Sequence, residues 1–251
     1  TFTANFEKKA KFDVTGTIDK GNVTNGSQKV IEGEPSEAMV FTAENGYYIT
    51  EVKVNGKAVT DLAENAESYT FAALEKVMGN VTVEAVTAEK QSVINYTAEI
   101  GGYVSNTTEK FNGLTGTVKG STATADNGYV FDGWYLNNTK IDGANAEFTP
   151  VKGENEVWVN DTTYVAKFKE KPNVTISYVT DGNGTVSRAN DTVAPATGNV
   201  AEKVTAEPIS NEYRFVNWTV DGKVVSENAE LDVVTINLNA KENGIYKATT
   251  F

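Results

Sequence analysis

The chain of 251 residues contains no cysteine and no histidine. These absences exclude thiol nucleophiles, Ser-His-Asp and Cys-His catalysis, disulfide bonds, and zinc or copper sites of the usual kind. A cytosolic protein can lack cysteine without consequence, whereas an exported protein can gain from avoiding stray thiols. The acidic, Thr- and Asn-rich composition favours the exported alternative.

Positive charge is also scarce, because 22 Lys and Arg residues face 34 Asp and Glu residues and leave a formal net charge of −12. Such a surface repels phosphate, so nucleic acid and anionic membranes are excluded as expected partners. No apolar run reaches the roughly 18 residues of a membrane-spanning helix. We therefore expect no membrane insertion.

Leucine occurs only 6 times, whereas Val occurs 31 times, Thr 32 times and Asn 26 times. The β-branched Val and Thr suit a pleated surface and lose rotamer freedom in helices. Asn and Gly supply turns that need a positive φ. The composition predicts a mainly β fold with many short turns and little helix.

An internal repeat divides the chain. Three Thr-Ala pairs precede aromatic segments and lie 82 and 81 residues apart, at Thr42-Ala43, Thr124-Ala125 and Thr205-Ala206. Three valines upstream keep the same period, at Val23, Val104 and Val186. Two independent landmarks with one period predict three tandem units of about 81 residues.

We place repeat 1 at residues 10–90, repeat 2 at 91–170 and repeat 3 at 171–251. Residues 1–9 resemble a closing strand left over from a preceding repeat, and the alternative is that they form the first strand of repeat 1. The boundaries Glu89-Lys90 and Glu170-Lys171-Pro172 are short and charged. Such joints cannot act as flexible coils, so the sequence predicts an angularly restrained, elongated rod.

Each repeat is expected to hold five or six short strands. In repeat 2 these include Val93–Thr97, a strand within 117–124, the segment Tyr129–Leu136 and a strand at Val157–Val159. Only Phe71–Met78 has a helical pattern, which Gly79 would end.

The three tryptophans receive different interpretations. Trp134 and Trp218 share a repeat position with Val52, which predicts a core site. Trp158 shares its position with Lys76 and Lys241 when residues are counted back from the closing strands, which predicts solvent exposure. Trp158 is therefore the candidate ligand-binding residue, and the alternative is packing between repeats or an error in that count.

No pattern of catalytic or metal-binding residues emerges. Asp126, Asp132 and Glu156 recur with no partner that would make a glycosidase pair. The segment 181–184 lacks the further acidic ligands of a calcium loop and is read as a turn. We expect no enzymatic activity, no cofactor and no metal site.

The motif Gly128-Tyr129-Val130-Phe131-Asp132-Gly133-Trp134-Tyr135 resembles the Listeria–Bacteroides repeat motif. Together with the upstream Gly-x-Val-Ser and the closing aromatic strand, it resembles the divergent internalin-type B-repeat of bacterial surface proteins. The resemblance implies small β-grasp-like domains in tandem, without shared catalytic residues. It also implies an exported, wall-anchored, extracellular protein.

The leading functional hypothesis is a non-enzymatic stalk or adhesion segment that spaces or presents other domains. It would be a monomer within a longer multidomain chain. The alternative is a carbohydrate- or glycoprotein-binding module that uses Trp158 and takes a host or dietary glycan as its partner.

Overall fold

A computed structural model describes residues 1–153 and 156–251. The chain divides into two compact units. Unit 1 consists of Thr1–Ile94, Glu109–Val118 and Pro150–Thr162, and unit 2 consists of Asn95–Thr108, Lys119–Thr149 and Thr163–Phe251. Among the described residues, no helix is long and apolar enough to cross a membrane.

The expected mainly β fold is confirmed by a succession of short strands. Those between residues 11 and 89 are β1 (Lys11–Ile18), β2 (Gly21–Thr24), β3 (Ser27–Ile31), β4 (Met39–Ala43), β5 (Tyr47–Val54), β6 (Lys57–Ala58), β7 (Ser68–Phe71) and β8 (Val81–Glu89). Those between residues 91 and 170 are β9 (Gln91–Ala98), β10 (Gly102–Val104), β11 (Thr108–Asn112), β12 (Ser121–Ala125), β13 (Tyr129–Leu136), β14 (Thr139–Lys140), β15 (Glu147–Phe148) and β16 (Thr162–Glu170). The remaining elements are β17 (Val174–Ser177), β18 (Gly184–Val186), β19 (Asn190–Val193), β20 (Val204–Pro208), β21 (Trp218–Val220), β22 (Lys223–Ser226), β23 (Glu230–Leu231), α1 (Val233–Ala240), β24 (Lys241–Glu242), β25 (Ile245–Tyr246) and β26 (Thr249–Thr250).

One strand order recurs along the chain. The first five-stranded sheet has the order β3-β1-β8-β5-β6, and the second has the order β11-β9-β16-β13-β14. Three-stranded sheets β2-β4-β7, β10-β12-β15 and β18-β20-β23 also correspond. In the last copy, β19-β17-β26 and β21-β22 take the place of the five-stranded sheet.

The first and last strands of a copy run parallel at the centre of its sheet. In unit 1, β1 pairs with β8 so that Val14 lies opposite Val81. In unit 2, β17 pairs with β26 so that Ile176 lies opposite Thr249. The strands alternate between inward and outward side chains, which is the period that a half-buried sheet requires.

The predicted core positions of Trp134 and Trp218 are confirmed. Trp134 is fully buried and its indole N–H donates to the Ala146 carbonyl at 3.2 Å. Trp218 is also buried and donates to the Ala229 carbonyl at 3.3 Å. Burial of a large ring with its polar atom satisfied stabilises a small sheet.

Repeat 1 uses a different exchange of volume at its centre. A Cβ on Gly16 would lie 2.8 Å from both Met39 Sδ and Phe41 Cζ, so these side chains occupy the space above the glycine. The corresponding positions of β9 and of the segment after β17 hold the buried rings of Tyr96 and Tyr178. Because cores are close-packed, a large residue on one strand requires a small one facing it.

Three local predictions differ from the structure. Phe71–Met78 is not helical, because Phe71 ends β7 and the residues after it form no regular element. The described helix is α1, which begins after Asp232, whose carboxylate accepts a hydrogen bond from the Thr235 amide at 2.8 Å. Val157–Val159 forms no strand, and residues 1–10 carry no regular secondary structure.

Candidate functional site at the repeat junctions

Glu89 lies at the predicted boundary between repeats 1 and 2, as the last residue of β8. Its carboxylate accepts hydrogen bonds from the backbone amides of Leu114 at 2.5 Å and Thr115 at 2.6 Å. It also accepts one from the Thr115 hydroxyl at 2.8 Å. All of these residues belong to unit 1. The end of β8 is thereby fastened to the loop that follows β11.

Glu170 repeats this arrangement within unit 2, as the last residue of β16. Its carboxylate accepts hydrogen bonds from the amides of Ala196 at 2.6 Å and Thr197 at 2.9 Å, and from the Thr197 hydroxyl at 2.7 Å. We refer to the two sets, Glu89 with Leu114-Thr115 and Glu170 with Ala196-Thr197, as the carboxylate clamps. Hydrogen bonds to an ionised acceptor are stronger than neutral ones.

A buried glycine accompanies each clamp. Gly46 and Gly128 have φ values of 89° and 84° in Asn-Gly turns, a conformation that glycine adopts without strain. Their carbonyl oxygens accept hydrogen bonds from the amides of Lys90 and Lys171, each at 2.7 Å.

The glycines also allow close approach to the following repeat. A Cβ on Gly46 would lie 3.0 Å from Val157 Cγ2, and a Cβ on Gly128 would lie 2.9 Å from Ala196 Cβ. A larger residue at either turn would push these contacts apart. Each junction thus combines a charged hydrogen-bond cluster with a tight glycine contact.

The clamps keep their carboxylates ionised. At Glu89, burial raises the pKa, but the hydrogen bonds from Thr115 and Leu114 outweigh it and the net pKa is lowered. At Glu170, the amide and hydroxyl of Thr197 lower the pKa, and burial opposes them only in part. Donors aimed at the charged form stabilise that form.

Sequence reasoning treated these glutamates only as charged linker residues. A signal was nevertheless present, because Glu89 and Glu170 lie 81 residues apart and each precedes a lysine. Thr115 and Thr197 lie 82 residues apart, so donor and acceptor keep the repeat period. The pairing itself requires the fold, since donor and acceptor are 26 and 27 residues apart.

The predicted exposure of Trp158 is wrong, because the residue is half-buried. Its ring meets Phe111 edge to face, with centroids 5.7 Å apart. Its amide donates to the Gly113 carbonyl as the amide of the buried Tyr246 donates to the Pro195 carbonyl, both at 2.9 Å. Trp158 therefore corresponds to Tyr246 and not to Lys241, and the count back from the closing strand was misled by unequal loop lengths.

The indole nitrogen of Trp158 is an exception to good packing. It is buried and has no hydrogen-bond partner among the residues that the structure describes. A buried donor without an acceptor costs about 1–3 kcal/mol. The residues 154–155, close to it in sequence, lie outside the described part.

The acidic residues considered for catalysis have structural partners. Asp132 pairs with Lys140 and Lys169 and accepts a hydrogen bond from the Tyr135 hydroxyl at 2.6 Å. The Lys169 and Tyr135 contacts lower the pKa of Asp132 to about 2. A carboxyl with that pKa is a poor proton donor near neutral pH. Within the described residues, no cluster of three or more acidic side chains could hold a metal ion.

The recurrent strand order and the paired junctions define a tandem β-repeat protein. The family model described as "Divergent InlB B-repeat domain" matches residues 92–172 and 174–248, which together exceed half of the chain. The chain belongs to this divergent internalin B-repeat family, and the resemblance noted in the sequence is confirmed. The family is a repeat-module family typical of bacterial surface proteins. No curated protein matches the chain.

Proposed function

We propose that the chain is a non-enzymatic, semi-rigid stalk segment of a bacterial cell-surface protein, built from β-grasp-like repeats that space or present other domains. The observation that carries this proposal is the recurrence of the carboxylate clamp at both repeat boundaries. A spacer requires fixed joints more than it requires a chemical site.

The clamps act by removing freedom from short joints. A joint of two or three residues between folded domains leaves few backbone dihedrals free. At each joint the glutamate then binds two amides and one hydroxyl of the next repeat. The resulting restraint needs neither a disulfide nor a metal, which suits a chain without cysteine and histidine.

The same proposal places the segment outside the cell, anchored to the wall as part of a longer multidomain chain. Support comes from the family, whose members are typical of bacterial surface proteins. The net charge of −12 also favours an extended surface protein that avoids nonspecific binding to anionic polymers.

Small-angle X-ray scattering of the 251-residue chain tests the proposal. We expect a distance distribution with a long tail and a Kratky plot without the plateau of a flexible chain. A compact globule or a freely flexing string of domains would refute the spacer function. The Glu89→Ala/Glu170→Ala variant should scatter as a more flexible particle, and Glu64→Ala/Glu227→Ala, which changes two exposed glutamates, serves as the matched control.

The alternative function, glycan binding at Trp158, rests on the indole N–H that has no partner among the described residues. Half-burial against Phe111 weighs against it, because sugar stacking requires an open ring face. A glycan array with Trp158→Ala as the control decides the matter. Binding that disappears in the variant supports this alternative, and no binding, or binding that persists, removes it.

A further inference from the structure

An open groove lies along one edge of repeat 3, within unit 2. The cavity measures about 610 Å³, and its walls include Val179, Arg214, Phe215, Trp218 and Phe251. Residues 213–217 lie in no strand, although they correspond to the first half of β13. Apolar side chains are exposed along the groove, with Val216 at 65% and Tyr213 at 46% exposure.

The rings of repeat 3 show which strand normally fills this space. Phe251 stacks on Tyr178 at 5.7 Å, as Tyr164 stacks on Tyr96 at 6.0 Å. Tyr178 then meets Trp218 edge to face, as Tyr96 meets Trp134. Phe251 therefore corresponds to Tyr164, which lies in the third position of β16.

In repeat 2 the groove is filled by the rest of β16. Ala166 lies opposite Trp134, Phe168 lies opposite Phe131, and Lys169 lies opposite Val130. Phe168 packs edge to face on Phe131 with centroids 6.0 Å apart. The groove of repeat 3 thus has the shape of an acceptor for an extended strand with a small residue, a ring and a polar residue in these positions.

Residues 1–9 have that pattern. Thr1-Phe2 matches Thr163-Tyr164 and Thr250-Phe251, and the residues that follow continue the β16 pattern with Ala4 and Phe6. Residues 1–10 are exposed and form no strand, and the ring of Phe6 is almost fully exposed, at 94%. A segment of this kind is available to pair with another sheet edge.

We propose that residues 1–9 of a second copy of this chain add to the open edge of repeat 3 as a donor strand. In the register of β16, Ala4 lies opposite Trp218, Phe6 lies opposite Phe215 and Glu7 lies opposite Arg214. The opposite charges of Glu7 and Arg214 favour this register. The contact is heterologous, so it joins copies head to tail.

Analytical ultracentrifugation of the full chain over a range of concentrations tests the proposal. We expect a mass that rises above the monomer with concentration. Phe6→Asp should weaken the association roughly tenfold or more, because a buried ring is replaced by a charge. Ile100→Asp, at an exposed turn residue of unit 2, is the control and should leave it unchanged.

A charge exchange tests the register. Glu7→Arg and Arg214→Glu should each weaken the association, and the double variant should recover it. A synthetic peptide of residues 1–9 should compete with the association, and a scrambled peptide should not. A chain that stays monomeric at every concentration, or association that survives Phe6→Asp, overturns the proposal.

Discussion

Glu170 accepts hydrogen bonds from both the backbone amide and the side-chain hydroxyl of Thr197, a residue on the other side of a predicted repeat boundary. The same relationship joins Glu89 to Thr115 within unit 1. Because donors and acceptor keep the repeat period, the clamp is a property of the repeat and not of one local sequence.

The clamp should control how often its loop opens. Glu170→Gln removes the charge and turns one acceptor oxygen into a donor that faces other donors. We expect hydrogen exchange at the Ala196 and Thr197 amides to accelerate roughly tenfold or more, since their opening loses a charge-assisted bond. The control is Glu227→Gln, an exposed glutamate of the same unit. Equal exchange in both variants would show that the clamp adds nothing.

Acid should open the clamps. The folded pKa values of Glu89 and Glu170 are lowered from the ordinary value of 4.5, so each contribution to stability is fully present above that pH and is lost as pH falls through the folded pKa. Exchange protection at Thr115 and Thr197 should therefore persist at pH 5 and fall below pH 4.5. Glu→Gln variants should lack this dependence, and unchanged protection in acid would argue against it.

The same substitution should act differently at two tryptophans. Trp134→Phe leaves the Ala146 carbonyl without its indole donor, so we expect a loss of about 2 kcal/mol or more in the free energy of unfolding. Trp158→Phe removes a donor without a described partner and should cost less than about 1 kcal/mol. Urea denaturation measures both, and a larger loss at Trp158 would contradict its assignment as a packing residue.

The volume exchange at Gly16 predicts coupling. Gly16→Ala should cost about 1–3 kcal/mol, because its Cβ meets Met39 and Phe41 at 2.8 Å. Phe41→Ala alone should cost about 3–5 kcal/mol through the cavity it leaves. The double variant Gly16→Tyr/Phe41→Ala, which imitates the Tyr96 and Ala123 pair, should cost less than the sum of its single changes. Strict additivity in thermal or urea unfolding would refute the exchange.

The sequence predicted those features that depend on local pattern and period. The strand at Val93–Thr97, the turn at Asn127-Gly128 and the buried Trp134 and Trp218 followed from alternation, turn residues and repeat alignment. These features depend on neighbours in sequence or on corresponding positions in the repeats.

Features that depend on tertiary pairing were not predicted. Counting residues could not place Trp158, because the loop before the closing strand differs in length and Tyr246 is its true counterpart. The helix α1 was missed because Val, Thr and Asn are poor helix formers, and its cap at Asp232 was overlooked. The clamps join residues far apart in sequence, so only the fold brings them together.

The absence of cysteine allows the central claim to be measured directly. Spin labels at Thr122→Cys in repeat 2 and Lys223→Cys in repeat 3, both exposed and both within unit 2, report one distance across the second junction. Pulsed double electron–electron resonance should give a narrow distance distribution that broadens when Glu170→Ala is added. A broad distribution in the parent protein, or a width unaffected by Glu170→Ala, would contradict a clamp that fixes the junction.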